Sequence, residues 1–144
     1  MHTLTGQCHC GNIHIRYQSP VALEEIIGRA CGCTYCTRHG AVYASHPDGV
    51  LTCEIADPAL VGHYRFGTQT AEFLSCSRCG VLPLVVSEIN DHSYAVVNLR
   101  CMTNLNLENL RASGTDFDGE ETSSRLDRRR RNWISDVTII NLGA

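Results

Sequence analysis

The chain has 144 residues, of which 43% are hydrophobic and 19% are charged, and this composition is typical of a single globular domain spanning residues 1–144. Its formal net charge of -3 gives no general attraction to nucleic acid or to an anionic membrane. All 12 basic residues are arginine, so no lysine is present to capture an aldehyde as a Schiff base. Carbonyl chemistry in this protein would therefore need a thiolate or a metal.

The first residues of the chain lack the basic and apolar regions of a secretory signal. No apolar run approaches the ~20 residues of a membrane span. We therefore expect a cytoplasmic protein with no membrane partner. In a reducing compartment nine cysteines indicate metal ligands more readily than disulfides, and their odd number leaves one without a partner in any scheme that uses disulfides alone.

Short runs rich in β-branched and aromatic residues recur along the chain and are bounded by Gly, Pro or Asp. Their close spacing, with no long helix between them, predicts a mainly β domain of antiparallel strands with few short helices. The predicted strands are residues 13–17, 21–30, 41–45, 50–55, 61–66, 70–75, 81–87, 94–99 and 137–140. We expect 81–87 and 94–99 to be the most buried.

The C-terminal part has a different composition. Residues 105–110 predict one or two helical turns, and residues 113–124 are polar and acidic enough to form an exposed loop. An arginine-rich run at residues 125–131 follows this loop. We find no internal repeat other than the recurring cysteine pairs, and no second domain.

Seven of the nine cysteines fall into short motifs, and thiolates are the soft ligands that zinc prefers. The pairs Cys8-x-Cys10 and Cys76-x-x-Cys79 supply four thiolates, which is enough to close one tetrahedral zinc site. If the first pair is extended, its two side chains lie on one face, and Gly11 would let the backbone turn closely around the ion. This set of four therefore predicts a structural zinc site.

The central motif Cys31-x-Cys33-x-x-Cys36 supplies three thiolates, which leaves one coordination position open for chemistry. The alternative is a second closed site, and the residues that could complete it are His39, His46, Cys53 and Cys101. His39 follows Cys36 at a spacing that zinc fingers use. Cys53 and Cys101 lie in strand-like runs, where small buried hydrophobic residues are the expected role. For the set of four, the alternative is iron or an iron–sulfur cluster.

Three cysteine motifs in this order resemble the family of glutathione-dependent formaldehyde-activating enzymes, which includes centromere protein V. They are Gly6-Gln7-Cys8-His9-Cys10-Gly11, Cys31-Gly32-Cys33-Thr34-Tyr35-Cys36 and Cys76-Ser77-Arg78-Cys79-Gly80. The resemblance covers residues 6–100, and residues 113–144 match nothing in the family pattern.

The resemblance implies a zinc-bearing β fold with two Zn²⁺ ions per chain. The structural zinc would be bound by Cys8, Cys10, Cys76 and Cys79, and the catalytic zinc by Cys31, Cys33 and Cys36. It also implies the condensation of formaldehyde with glutathione to S-(hydroxymethyl)glutathione, which is a carbon–sulfur lyase activity. The expected partners are thus a small-molecule thiol and an aldehyde.

Arg38 and His39 stand two and three positions after the last cysteine of the central motif and are the candidates to meet an anionic substrate, although an exposed salt bridge is the alternative for Arg38. The competing hypothesis for the whole chain is a non-catalytic, zinc-stabilised module that binds protein or nucleic acid through residues 125–131. That run could instead bind the carboxylates of a peptide such as glutathione. Its plainer interpretation is solvated pairing with Asp116, Asp118, Glu120 and Glu121.

Overall fold

The structure is a computed structural model that describes residues 1–143. Within this range it has eleven strands and two short α-helices, which confirms the mainly β prediction. In chain order the elements are β1 (His2–Gln7), β2 (Ile13–Ser19), β3 (Ile27–Cys31), α1 (Thr34–His39), β4 (Val42–Ala44), β5 (Val50–Ile55), β6 (Val61–Tyr64), β7 (Glu72–Cys76), β8 (Leu84–Ile89), β9 (His92–Asn98), β10 (Arg111–Thr115), α2 (Thr122–Asn132) and β11 (Asp136–Asn141). Neither helix of the described range is long and apolar enough to cross a membrane.

The strands form two sheets. One has four strands in the order β1-β2-β5-β11, and the other has seven in the order β10-β3-β4-β9-β8-β7-β6. Neighbouring strands are antiparallel, as predicted, except that β10 pairs with β3 and β11 pairs with β5 in parallel. Parallel pairs need a long connection between the two strands. Both exceptions join strands that are far apart in the chain, and a local pattern does not encode such pairs.

The main core lies between the two sheets. In β2 the residues Ile13, Ile15 and Tyr17 are buried while His14 and Arg16 are exposed, which is the predicted period of two. They pack with buried residues of the larger sheet to form one hydrophobic cluster. Because successive side chains of a strand point to opposite faces, the alternate residues of the larger sheet are left on its other side.

Those alternate residues form a second, smaller hydrophobic cluster on the far face of the seven-stranded sheet. The cluster contains Tyr43 from β4, Phe73 from β7, Val85 from β8 and Val96 from β9. Trp133, directly after α2, completes it with only 7% of its surface exposed. With both faces covered, residues 95–98 of β9 are all buried, as expected for this strand.

The exposed loop predicted at residues 113–124 is wrong at both ends. β10 extends to Thr115, and α2 begins at Thr122. β10 is an edge strand whose residues are almost all exposed, so it carries no hydrophobic alternation. α2 is rich in charged residues, so it shows no apolar stripe that would indicate a helix.

Other segments agree with the sequence in part. The strand predicted at residues 21–30 begins as a 3-10 turn at Leu23–Glu25, and only its second half is extended, in β3. The helical turn predicted at residues 105–110 is a 3-10 turn at Leu107–Asn109. β1 was not predicted, although Leu4 and Gly6 are buried at alternate positions within it.

Candidate functional site

The first candidate metal site joins the two sheets. Cys8 and Cys10 lie in the turn between β1 and β2, whereas Cys76 ends β7 and Cys79 lies in the turn that follows. Their four Sγ atoms lie within 4.8 Å of one another. The Cys8–Cys10 and Cys10–Cys76 Sγ distances are 3.8 and 3.5 Å. Zn–S bonds of about 2.3 Å place the sulfurs of a tetrahedron about 3.8 Å apart, so this set fits zinc.

Two tight turns aim these sulfurs at one point. Cys8 and Cys10 are in a turn and not extended, and Gly11 closes it at φ 85° with its N–H donating to the Cys8 carbonyl. Gly80 closes the second turn at φ 80°, and its N–H donates to the Cys76 carbonyl. Both φ values favour glycine. Although burial opposes it, backbone hydrogen bonds from Cys10 and Val81 lower the pKa of Cys79 to about 6, which favours the metal-binding thiolate.

The second candidate metal site lies where β3 meets α1. Cys31 ends β3, Cys33 caps the N-terminus of α1 and Cys36 lies in its first turn, and their Sγ atoms lie within 4.8 Å of one another. The Cys33 sulfur accepts a hydrogen bond from the Cys36 N–H at 3.3 Å. A hydrogen bond between the Cys36 sulfur and the Tyr43 hydroxyl, at 3.1 Å, holds the third sulfur in place.

The charge state of this second group also suits a metal ion. A hydrogen bond from Cys36, opposed by burial, lowers the pKa of the Cys31 thiol to about 5. The same contact, together with burial, raises the pKa of the Cys36 thiol. One sulfur of the group is therefore anionic at neutral pH without an ion, and soft thiolates at this spacing fit zinc.

The structure does not bring the rival fourth ligands into this group. Within residues 1–143 the group consists of three cysteines. His39 is exposed and packs against Tyr35, with the ring centroids 4.6 Å apart, and the Nδ1 of His46 accepts a hydrogen bond from a backbone N–H of its own turn. Cys53 and Cys101 are buried elsewhere, and burial raises their pKa values to about 12 and about 11. Both are neutral core thiols, the role predicted for them.

A cavity of about 370 Å³ opens beside the three cysteines, on the face of the seven-stranded sheet that α2 covers. This volume is at the lower end of the range found for small-molecule sites. Phe66, Ala71, Phe73, Val85, Val96 and Trp133 form its apolar wall. Its charged wall consists of Arg29, Asp118, Glu120, Arg125, Arg128 and Arg129.

With this geometry established, known proteins give a consistent comparison. The family model described as glutathione-dependent formaldehyde-activating enzyme matches residues 3–117. The chain belongs to this family. No curated protein gives a significant match. A crystal structure of a Rhodobacter sphaeroides protein is similar in fold, with a TM-score of 0.56 and 24% identity over 76% of this chain and 99% of the other.

The two residues predicted to meet the substrate do not line the cavity. Arg38 is exposed and donates to the Thr34 carbonyl at 2.9 Å within α1, and His39 lies on the surface next to it. Arg38 stands two positions after Cys36 in α1, a rotation of about 200° around the helix, so the two side chains lie on opposite sides.

Four arginines do line the cavity, and the sequence analysis did not identify any of them as a residue of this site. Arg125, Arg128 and Arg129 stand at positions i, i+3 and i+4 of α2, so they share one side of the helix. Arg29 precedes Cys31 by two positions in β3, so both side chains lie on one face of the strand. These spacings are signals that the sequence contained. The family match ends at residue 117, so α2 lies outside it.

Solvated pairing of the arginine run is confirmed only in part. Glu120 binds Arg128 at 3.1 Å and lies 4.0 Å from Arg125, and Arg128 stacks on the Phe117 ring at 3.5 Å. Within the described range Asp116, Asp118 and Glu121 form no ion pair with the run. Arg129 is 6% exposed, and burial, reinforced by Arg125 and Arg128, lowers its pKa to about 10.

Proposed function

We propose that this protein is an enzyme that condenses a thiol with formaldehyde or a related aldehyde to an S-(hydroxymethyl) adduct, with glutathione as the candidate thiol. Such a reaction has the carbon–sulfur lyase classification. The observation that carries the proposal is the group Cys31, Cys33 and Cys36, which has no fourth protein ligand in residues 1–143 and opens onto a cavity. Membership of the formaldehyde-activating family supports it.

The residues of the site would divide the work as follows. Cys31, Cys33 and Cys36 would hold Zn²⁺ at the edge of the cavity. When bound there, zinc lowers the pKa of a coordinated thiol and so supplies a nucleophilic thiolate at neutral pH. The Tyr43 hydroxyl keeps the Cys36 sulfur in place. The apolar wall, which includes Phe73 and Trp133, excludes water that would compete for the aldehyde.

The balance of the reaction needs no further reactant. A bond forms between the thiol sulfur and the formaldehyde carbon, and the electron pair of the carbonyl π bond moves to oxygen. The proton lost by the thiol ends on that oxygen as the new hydroxyl. Since no oxidant, reductant or phosphate donor takes part, the site needs only to bind, orient and deprotonate.

We propose a structural role for the ion that Cys8, Cys10, Cys76 and Cys79 would hold. The first two cysteines belong to a turn of the four-stranded sheet, and the other two belong to the seven-stranded sheet. Four protein ligands leave no position for substrate. No disulfide joins any of the nine cysteines within the described chain, and cysteines that hold metal ions persist in a reducing compartment, so we propose a cytoplasmic location.

The competing binding module finds less support. Three arginines of α2 line the cavity, and only the C-terminal part of the run faces outward, where Arg131 is exposed and Arg130 pairs with Asp127. A phosphate backbone is bound by arginines that are free to reach it. The enzyme hypothesis explains why three arginines of α2 line the cavity, because there they can contact a substrate.

The proposed reaction can be tested by exchange NMR with ¹³C-formaldehyde and glutathione, since an enzyme must accelerate both directions of the equilibrium. The zinc-loaded protein is expected to increase the exchange rate between free formaldehyde and its adduct in proportion to enzyme concentration. Cys33→Ser should abolish the increase. An exchange rate unchanged by zinc-loaded wild-type protein, with two ions per chain verified, would refute glutathione-dependent condensation.

A further inference from the structure

The cavity contains a buried charge that the described chain does not neutralise. Arg129 donates through Nη1 to the Thr70 hydroxyl at 2.8 Å and to the Ser87 hydroxyl at 3.1 Å. Its Nε is buried without a hydrogen-bond partner, and no ion pair within residues 1–143 includes Arg129. Burying a guanidinium without an anionic partner is costly, so such residues are usually paired.

Neighbouring charged groups do not compensate the positive charge of Arg129. Arg29 also lines the cavity, and its side-chain partner is the neutral Ser45 hydroxyl at 2.6 Å. Glu120 is already shared by Arg125 and Arg128. Four guanidiniums and two carboxylates line the cavity, which leaves two formal positive charges. Three thiolates around a divalent ion would carry one negative charge and would offset only half of this excess.

We propose that Arg129, with Arg29, binds a carboxylate of the thiol substrate, so that the cavity selects thiols that carry a carboxylate. This inference rests on the proposed function and names its substrate class. Guanidinium and carboxylate match in charge and in planar geometry, and a water-excluding wall strengthens their hydrogen bonds. The Trp133 ring lies 5.0 Å from the Arg129 guanidinium and limits where it can move.

Arg129, the main residue of this proposed selectivity, lies outside the part of the chain that the family model matches. The family match ends at residue 117, whereas Arg129 lies beyond it. The metal-binding motifs and Arg29 lie in the family region, whereas Arg129 lies in the C-terminal segment. Arg129 is a specificity residue and takes no part in bond formation.

The test compares the binding of two thiols that differ only in charge, 3-mercaptopropionate and 3-mercaptopropionamide. Titrating the cobalt-loaded full chain with each one gives Kd from the visible thiolate absorption, without any turnover. The wild type should bind the carboxylate about 10- to 100-fold more tightly than the amide, as expected for a charge-assisted hydrogen bond. Arg129→Gln should remove this preference by raising the Kd of 3-mercaptopropionate alone, and Arg129→Lys should restore part of the preference.

Arg131→Gln is the matched control, because this arginine lies on the same helix but is exposed, and it should keep the preference. If Arg129→Gln does not fold, Arg29→Gln replaces it with the same expected loss. A wild type that binds acid and amide equally, or that responds to neither, overturns the inference, as does a preference that survives in the folded variant.

The titration, combined with the ¹³C exchange assay on the same two thiols, separates this inference from the proposed function. An intact preference without any condensation with formaldehyde refutes the reaction and upholds the selectivity. Condensation at equal efficiency with the acid and the amide refutes the selectivity and upholds the reaction. Rejection of glutathione while 3-mercaptopropionate is accepted would replace glutathione by a smaller carboxylated thiol.

Discussion

Replacing Cys79 by serine should remove most of the folded protein. Its sulfur is one of four, from turns of two separate sheets, that lie within 4.8 Å of one another, so the ion they would hold would connect the two sheets. Structural zinc contributes on the order of 10 kcal/mol of binding energy that exists only in the folded state. A domain of this size is stable by about 5–15 kcal/mol, so weakening this site consumes most of the margin.

Cys33→Ser provides the matched control, since it makes the same chemical change in the other cysteine group. Cys33 caps α1 through its side chain, and serine is itself a good N-cap residue. We expect a destabilisation of about 1 kcal/mol, which corresponds to a decrease in Tm of about 4 °C. Loss of the central ion would release only the end of β3 and the start of α1.

The assay combines the soluble yield, the Tm from circular dichroism and the zinc content from native mass spectrometry. Cys33→Ser should be soluble with one zinc per chain, whereas Cys79→Ser should be mostly insoluble or unfolded at 25 °C. Equal Tm values in the two variants would contradict the division into structural and catalytic sites. A folded Cys79→Ser protein that retains two ions would contradict it as well.

Three further predictions follow from individual contacts. Tyr43→Phe keeps the ring but loses the 3.1 Å hydrogen bond to the Cys36 sulfur. The exchange rate measured by ¹³C NMR should therefore fall about fivefold, which is equivalent to ~1 kcal/mol. An unchanged rate would show that Tyr43 does not position Cys36. Trp133→Ala should lower the free energy of unfolding, measured in urea, by about 3–5 kcal/mol, because this side chain is buried between α2 and the sheet. A decrease of less than about 1 kcal/mol would mean that the packing of α2 does not depend on Trp133. Duplex DNA should not bind with sub-micromolar affinity at physiological salt, and such binding, if it were abolished by Arg130→Gln with Arg131→Gln, would favour the binding module over the enzyme.

The parts of the fold that could be predicted are those encoded by neighbouring residues. Ile13, Ile15 and Tyr17 alternate with polar residues, and β2 has that pattern of burial. The spacing within each cysteine motif is also local, whereas the two distant pairs were combined because a closed zinc site needs four ligands, and their sulfurs do lie together. A motif indicates which sulfurs can meet, because a separation of two or three residues limits where they can lie.

The parts that could not be predicted depend on contacts between segments that are far apart in the sequence. β10 pairs with β3 across about 80 residues, and no property of Arg111–Thr115 by itself indicates a strand. α2 looks like a solvated helix or loop because its arginines are charged, yet Arg129 is buried against Thr70 and Ser87. The i, i+3, i+4 spacing of its arginines places them on one side of the helix, but only the fold shows that this side lines the same cavity as the cysteines.

The central claim is that Cys31, Cys33 and Cys36 hold a metal ion with an open position that accepts a thiol. Cobalt tests it most directly, because its visible absorption reports how many sulfurs surround the ion. In the cobalt-loaded protein, millimolar glutathione is predicted to shift the band toward a four-sulfur environment, and formaldehyde should then reverse part of that shift. A spectrum that already shows four sulfurs at both sites, or three sulfurs and a histidine, before any thiol is added would contradict the claim.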